Sequence, residues 1–268
     1  MDVVIKGETA CGDLISYNGL MNYLQKYYNN IYFYLPNDLL KKEKRFNTLD
    51  IFAKELYKDN KKIKFINNFS NFKNVHFIDA CCRGNITNLL NLDNKRFINK
   101  NNKINNVLNI DEKDIDKTNE IPNNNSDFFY KLLGLKVNIK RDYFLYSRNI
   151  IEEEKIYNKF KKDKYIITND CNQFKINNKY LTQPIINIHF LVPNQLYLLK
   201  LIENAEELHL MENSLALMIY HMQYSNIIKP VKVYYHTYPR KRVNDKNPEI
   251  CNNVFISPKL DNWTIINK

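Results

Sequence analysis

Glu206-Glu207-Leu208-His209-Leu210-Met211-Glu212-Asn213-Ser214-Leu215-Ala216-Leu217-Met218-Ile219-Tyr220-His221-Met222 decides the fold class, because it runs from a short apolar strand through a polar turn into an almost wholly apolar helix. The helix spans about Ser214–Gln223 and is followed by a second strand pattern at Val231–Tyr235, ending at His236. Strand, helix and strand at this pitch form the βαβ unit of a parallel sheet. In open α/β sheets ligands bind at the carboxyl edge of the strands. Asn213 or Ser214 is placed to cap the helix, and the free N–H groups of its first turn, with the helix dipole, suit an oxygen of a diphosphate. A cap with no ligand is the plain alternative.

Working towards the amino end, the same grammar recurs. Val3-Val4-Ile5 reads as a strand, Gly7 to Asp13 as a glycine-containing loop, Leu14–Tyr28 as a helix and Ile31–Leu35 as a strand closed by Pro36. A helix at Leu49–Tyr57 and strands at Ile63–Ile66 and Val75–Ile78 follow. Residues from about Asn91 to Ser126, rich in Asn, Lys and Asp, read in part as an irregular surface excursion. A helix at Asp127–Leu135 is stopped by Gly134. A fresh alternation begins with a helix at Ile150–Lys161, a strand at Tyr165–Ile167, a strand at Ile185–Ile188 and a helix at Gln195–Asn204. The boundary is therefore placed at Arg148, giving lobes 1–147 and 148–268, and the expected class is α/β with two Rossmann-like lobes and mainly parallel sheets. The tail Val254–Lys268, with the only tryptophan, Trp263, is expected to pack back across a lobe.

Composition narrows the classes. A chain of 268 residues with 44% hydrophobic residues, 19 Tyr and 15 Phe can build a core and is not disordered. Its five cysteines include no CxxC pair and no zinc-ligand spacing, and their odd number argues against a disulfide framework. With no run near the roughly 20 apolar residues of a membrane helix and no signal peptide in view, a cytoplasmic protein is expected. The net charge of +11 makes a polyanionic partner reasonable, although the lysines are scattered among Asn and Ile as AT-rich codon usage would also give.

Gly12-Asp13 forms a second loop-to-helix edge, where Asp13 is either a helix cap or an exposed carboxylate able to act as a general base. Arg148 could pair with phosphate oxygens, or equally form a salt bridge with Glu152 or Glu153. Asp170 and His236 each follow a predicted strand, and a satisfied polar loop residue is the alternative for both. His209, alternating with apolar neighbours, reads as core. Asp114-Ile115-Asp116 lies in the Asn-rich excursion, a poor place for a metal-dependent transferase site. GxxxxGK[ST], GxGxxG after the first strand, GxSxG and HExxH are all absent, which weakens kinase, dehydrogenase and hydrolase readings.

Four pieces taken in order resemble a group of GT-B type glycosyltransferases of the kind encoded by large DNA viruses and microbes, heptosyltransferase-like or fucosyltransferase-like. These are Gly12-Asp13-Leu14-Ile15-Ser16-Tyr17-Asn18-Gly19-Leu20; Phe128-Phe129-Tyr130 through Phe144, Arg148 and Glu152–Glu154; Ile202 through Ser214-Leu215; and Tyr234-Tyr235-His236-Thr237-Tyr238-Pro239-Arg240 with Asp261-Asn262-Trp263. Asn149, Glu212, Asn213 and Leu215 depart from the group's pattern. The resemblance implies two facing lobes and transfer of a sugar from a UDP- or GDP-linked donor to a glycan or other hydroxyl acceptor, with neither a cofactor nor an obligatory metal. It implies Asp13 as base and a donor site drawn from Gly12, Arg148, Asp170, Glu212, Asn213, Ser214 and His236. It places the protein in the cytoplasm, the host's if viral. The rivals are a degenerate protein that binds a nucleotide sugar or glycan without turnover, and a basic nucleic-acid-associated protein.

Overall fold

A computed structural model of the chain describes residues 1–7, 11–35, 45–68, 72, 74–79, 97–98, 102–118, 125–169, 181, 183–188, 191–192, 194–211, 213–237 and 260–267. The chain divides into two compact units, Met1–Tyr146 and Ser147–Lys268. Each holds a five-stranded, all-parallel sheet, the α/β architecture expected from the alternation of strands and helices.

The first unit contains β1 (Val3–Lys6), α1 (Cys11–Leu24), β2 (Ile31–Tyr34), α2 (Arg45–Leu56), β3 (Ile63–Ile66), β4 (His76–Asp79), β5 (Phe97–Ile98), α3 (Asn125–Leu133) and α4 (Ile139–Asp142), with sheet order β3-β2-β1-β4-β5. Alternation along the strands sends Val4, Phe77 and Phe97 into one apolar layer with Val75, Tyr32, Ile66 and Phe72. On the other face Tyr17 of α1 packs 5.4 Å from Phe33. Within the Asn-rich stretch the described residues supply the edge strand β5 and bury Ile104 and Ile110. Two or three apolar residues at a time are enough to dock it, too few to register as a periodic pattern.

From Leu14 to Leu24 every residue of α1 is buried, including Ser16, Asn18 and Asn22. Such a helix survives because its polar groups are bonded internally. Asn22 Nδ2 donates to Asn18 Oδ1 at 3.0 Å, and the Tyr130 hydroxyl donates to the Ser16 carbonyl at 2.6 Å while accepting from the Leu20 amide at 3.0 Å. The phenol thus enters the carbonyl-to-amide pair that an α-helix normally closes on itself. A Cβ on Gly19 would stand 2.4 Å from the Lys140 carbonyl oxygen, so only glycine lets α1 lie against α4. Gly134 closes α3 at φ +76°, the left-handed C-cap that its sequence position predicts.

The second unit contains α5 (Ile150–Phe160), β6 (Ile166–Thr168), β7 (Ile185–Asn187), α6 (Leu199–Glu203), β8 (Glu207–Met211), α7 (Ser214–Tyr224), β9 (Lys232–Thr237) and β10 (Trp263–Asn267), in the order β10-β9-β8-β6-β7. The helix expected at Gln195–Asn204 begins as a 3₁₀ turn, Gln195–Leu198, before α6. The tail does more than pack across the sheet: it adds the parallel edge strand β10. Its Trp263 is fully buried, with the indole N–H donating to Gln223 Oε1 at 2.6 Å and the ring edge-on to Tyr220. No described helix is long and apolar enough to cross a membrane.

Candidate functional site

In the first sheet the chain order reverses on the two sides of β1, which places the topological switch point at the carboxyl ends of β1 and β4. There β1 ends at Lys6, in register with Asp79, the last residue of β4. Helix α1 starts from this edge at Cys11, so Gly12 and Asp13 lie inside its first turn, and Asp13 is not the residue before the helix. The Gly12 carbonyl accepts from Ser16 Oγ at 2.9 Å. Burial, with the Asp13 charge adding to it, pushes the Cys11 thiol up to about 11, so the carboxylate and the thiol share one environment. The room left by Gly7 is taken from within: a Cβ there would meet the Tyr17 ring at 2.4 Å. Asp79, buried at the same edge, is a second acid that sequence reading passed over; its signal was a carboxylate directly after the strand pattern Val75–Ile78.

The second sheet reverses about β6, so its switch point lies at the carboxyl ends of β6 and β8. Asn213 caps α7, its Oδ1 accepting from the Ala216 amide at 3.1 Å, and Ser214 opens the helix with its hydroxyl 3.5 Å from Gln195 Oε1. Thr168 ends β6 beside His209 of β8; its hydroxyl is buried and meets no hydrogen-bond partner among the described residues. Asn169 extends the ladder, its amide donating to the His209 carbonyl at 3.1 Å. His236 lies on β9 in register with Met211, the last residue of β8. One edge of this unit therefore gathers Asn213, Ser214, His236 and Thr168, the last of which the sequence signalled only by its place after the strand pattern Tyr165–Ile167. Asp170 and Glu212 lie outside the described residues.

Arg148 belongs elsewhere. Its guanidinium donates to Glu153 through Nε at 3.1 Å and Nη2 at 2.5 Å, and Nη2 also pairs with Glu203 at 2.7 Å. Glu203 ends the helix before β8, and the Ile227 carbonyl, 3.5 Å from Nη1, follows the end of α7. This is the amino edge of the second sheet, a strand's length of about 15 Å from the first turn of α7. The salt-bridge alternative holds, with Glu153 and Glu203 as partners, and Arg148 does not join Ser214 at the carboxyl edge of the sheet. Burial works against the guanidinium charge, yet the bonds to Glu153 and Glu203 hold it protonated. Two carboxylates share this one cation, and burial, with the Glu203 charge beside it, raises the Glu153 carboxyl despite Arg148.

Two other motif segments serve the fold. Asn149 caps α5, accepting from the Glu152 amide at 3.3 Å. In Asp114-Ile115-Asp116, the Asp114 carboxylate accepts from the Tyr23 hydroxyl at 3.0 Å and Asp116 pairs with Lys131 at 2.5 Å.

No family model matches the chain, and no curated protein matches it. Among solved structures it is similar to the crystal structure of the glycosyl transferase family 9 protein from Veillonella parvula, at 9% identity and a TM-score of 0.51, over 99% of this chain and 86% of that one. The likeness is one of fold. The E. coli heptosyltransferase WaaC with ADP also aligns, at 10% identity and a TM-score of 0.39, over 100% of this chain and 91% of that one.

Proposed function

We propose that the chain is a glycosyltransferase that moves a sugar from a nucleoside-diphosphate sugar, UDP- or GDP-linked, to an acceptor hydroxyl. The observation that carries this reading is the carboxyl edge of the second sheet. A capped helix start at Asn213-Ser214 lies at the switch point together with a buried hydroxyl on Thr168 that has no hydrogen-bond partner among the described residues. The free N–H groups of that first turn suit a diphosphate, and a buried hydroxyl without a partner costs stability that a ligand oxygen would recover.

In the reaction, Asp13 takes the acceptor proton as the acceptor oxygen bonds to the anomeric carbon and the bond to the diphosphate breaks. The first turn of α7, with His236, stabilises the charge growing on the leaving diphosphate, an oxyanion-type effect. No metal enters this scheme, a feature taken from the resemblance. Arg148 has no place in it. The two units, the donor edge on Ser147–Lys268 and the base on Met1–Tyr146, are assigned separate halves of the chemistry.

Thermal-shift screening against UDP, GDP, TDP and CMP sugars tests the donor half, since a ligand that binds only the native state raises its melting temperature. Stabilisation by UDP or GDP sugars, reduced in Ser214→Pro, supports the reading. Binding without release of nucleoside diphosphate identifies a degenerate transferase, and steeply salt-dependent RNA or DNA binding with no response to nucleotide sugars removes the proposal.

A further inference from the structure

Three segments meet through one guanidinium at the amino edge of the second sheet. Arg148 precedes α5 and donates from Nε to the two oxygens of Glu153 at 3.2 and 3.1 Å, and from Nη2 to the same carboxylate at 2.5 Å. The same Nη2 pairs at 2.7 Å with Glu203, the last residue of α6, and Nη1 lies 3.5 Å from the Ile227 carbonyl in the turn after α7. Glu203 also accepts the Lys229 amide of that turn at 2.9 Å. Two carboxylates and one cation thus fasten the ends of α6 and α7 to the start of α5.

The cluster carries one negative charge in excess. Glu153 is fully buried, whereas the side chains of Arg148 and Glu203 remain 19% and 13% exposed. Among the described residues no second cation offsets the excess. On α5, Glu152 turns to Lys155 and Glu154 takes the Lys200 ammonium, so α6 offers Glu153 only the Lys200 backbone amide. The Gln195–Leu198 turn has no charged residue, and Lys229 meets Glu203 through its amide. A buried carboxylate that must share its cation is costly, and a second carboxylate on the same guanidinium nitrogen adds repulsion. Burial, with the Glu203 charge beside it, accordingly holds the Glu153 carboxyl above its ordinary range against the bonds from Arg148 and the Lys200 amide.

We propose that Glu153, Arg148 and Glu203 form an acid-tightened latch on the second unit: in the folded chain Glu153 takes up one proton from solvent, and Arg148 then serves Glu203 without a competing charge. The proton sits on one Glu153 oxygen while the other still accepts from the guanidinium. Glu203, left as the only anion, binds Arg148 and the Lys229 amide more firmly, which secures the turn that follows α7. An ordinary buried salt bridge behaves in the opposite way, because its carboxylate is held below the usual range and acid breaks it. Here the folded chain keeps the Glu153 proton to higher pH than the unfolded chain does. Its contribution to stability is complete below the ordinary glutamate value of about 4.3 and is lost as pH rises through the higher folded value. The latch lies at the opposite edge of the sheet from Ser214 and is independent of what the carboxyl edge binds.

Denaturant unfolding of the full chain and of Glu153→Gln at matched pH values tests the latch, because the isosteric amide keeps an oxygen for Arg148 and cannot ionise. The other titrating groups are common to both proteins, so the comparison isolates Glu153. The folding equilibrium of the wild type relative to Glu153→Gln should fall as pH rises above about 4.3, by at most about tenfold per pH unit, and then level off. A ratio that stays flat or rises with pH overturns the latch. Carbon-13 carboxyl spectra of the folded wild type read the same proton without any variant: the Glu153 midpoint should lie above about 4.3, and a midpoint at or below it overturns the latch. Removal of the repelling charge in Glu203→Gln should lower that midpoint, and an unchanged midpoint overturns the coupling of the two carboxylates. Exchange of the Lys229 amide, corrected for its intrinsic pH dependence, should slow as Glu153 takes up its proton. Exchange that does not follow the Glu153 titration overturns the tightening.

Discussion

Asn18 holds Leu145 by both atoms of its side-chain amide: Nδ2 donates to the Leu145 carbonyl at 3.0 Å, and the Leu145 amide donates to Oδ1 at 2.9 Å. A residue in the middle of the opening motif is thus a clamp between α1 and a chain segment 127 residues away. Its place beside Gly12-Asp13 reflects the fold, not the chemistry.

Asn18→Leu keeps the volume but strands both Leu145 backbone groups and a donor from Asn22. A loss of about 3 kcal/mol is expected, read as a lower denaturation midpoint at constant slope. A variant within about 0.5 kcal/mol of wild type would show that water replaces the clamp without cost.

Arg148→Met should cost about 3–5 kcal/mol by leaving Glu153 buried without its cation, and pairing it with Glu153→Gln should restore most of that. Because the guanidinium sits at the amino edge of its sheet, nucleotide affinity of the double variant should equal that of wild type. A marked loss of affinity in the folded double variant would return Arg148 to the donor site.

Thr168→Val removes a buried hydroxyl that bonds to none of the described residues. Stability should stay level or rise by about 1 kcal/mol, while affinity for UDP or GDP falls. Unchanged affinity would mean that the hydroxyl is a packing feature only.

Much of the fold was legible because strands such as Val3–Lys6 and Glu207–Met211 are short apolar runs set between turn residues, and α7 is apolar along its length. What escaped notice depends on partners distant in sequence. Phe97-Ile98 is too short to announce a strand, yet β4 offers it an open edge. Asn18 and Asn22 look like a solvent face on an amphipathic helix until α4 and the Leu145 segment cover them. Asn213 and Ser214 could be placed at a helix start from sequence, since a cap is a local device. The His209–His236 contact could not, because it needs the parallel register of two strands 27 residues apart. The second partner of Arg148 was hidden for the same reason: Glu203 lies far along the chain.

The raised thiol of Cys11 offers a probe of Asp13 that needs no substrate. With its ionisation pushed up to about 11, the thiol is almost wholly protonated at pH 8 and should react with iodoacetamide about 100-fold more slowly than a free cysteine, followed on its own peptide by mass spectrometry. The Asp13 charge disfavours the thiolate, so Asp13→Asn lowers the thiol's ionisation and speeds the reaction at fixed pH. An unchanged rate would place the carboxylate away from Cys11.

Deprotonation of the acceptor by Asp13, with the donor held on the second unit, is read out by release of nucleoside diphosphate from the UDP or GDP sugar that stabilises the protein. Release by the wild type and a fall of at least about 100-fold in Asp13→Asn are expected, with donor affinity unchanged within about threefold. Equal rates in the two proteins would contradict it.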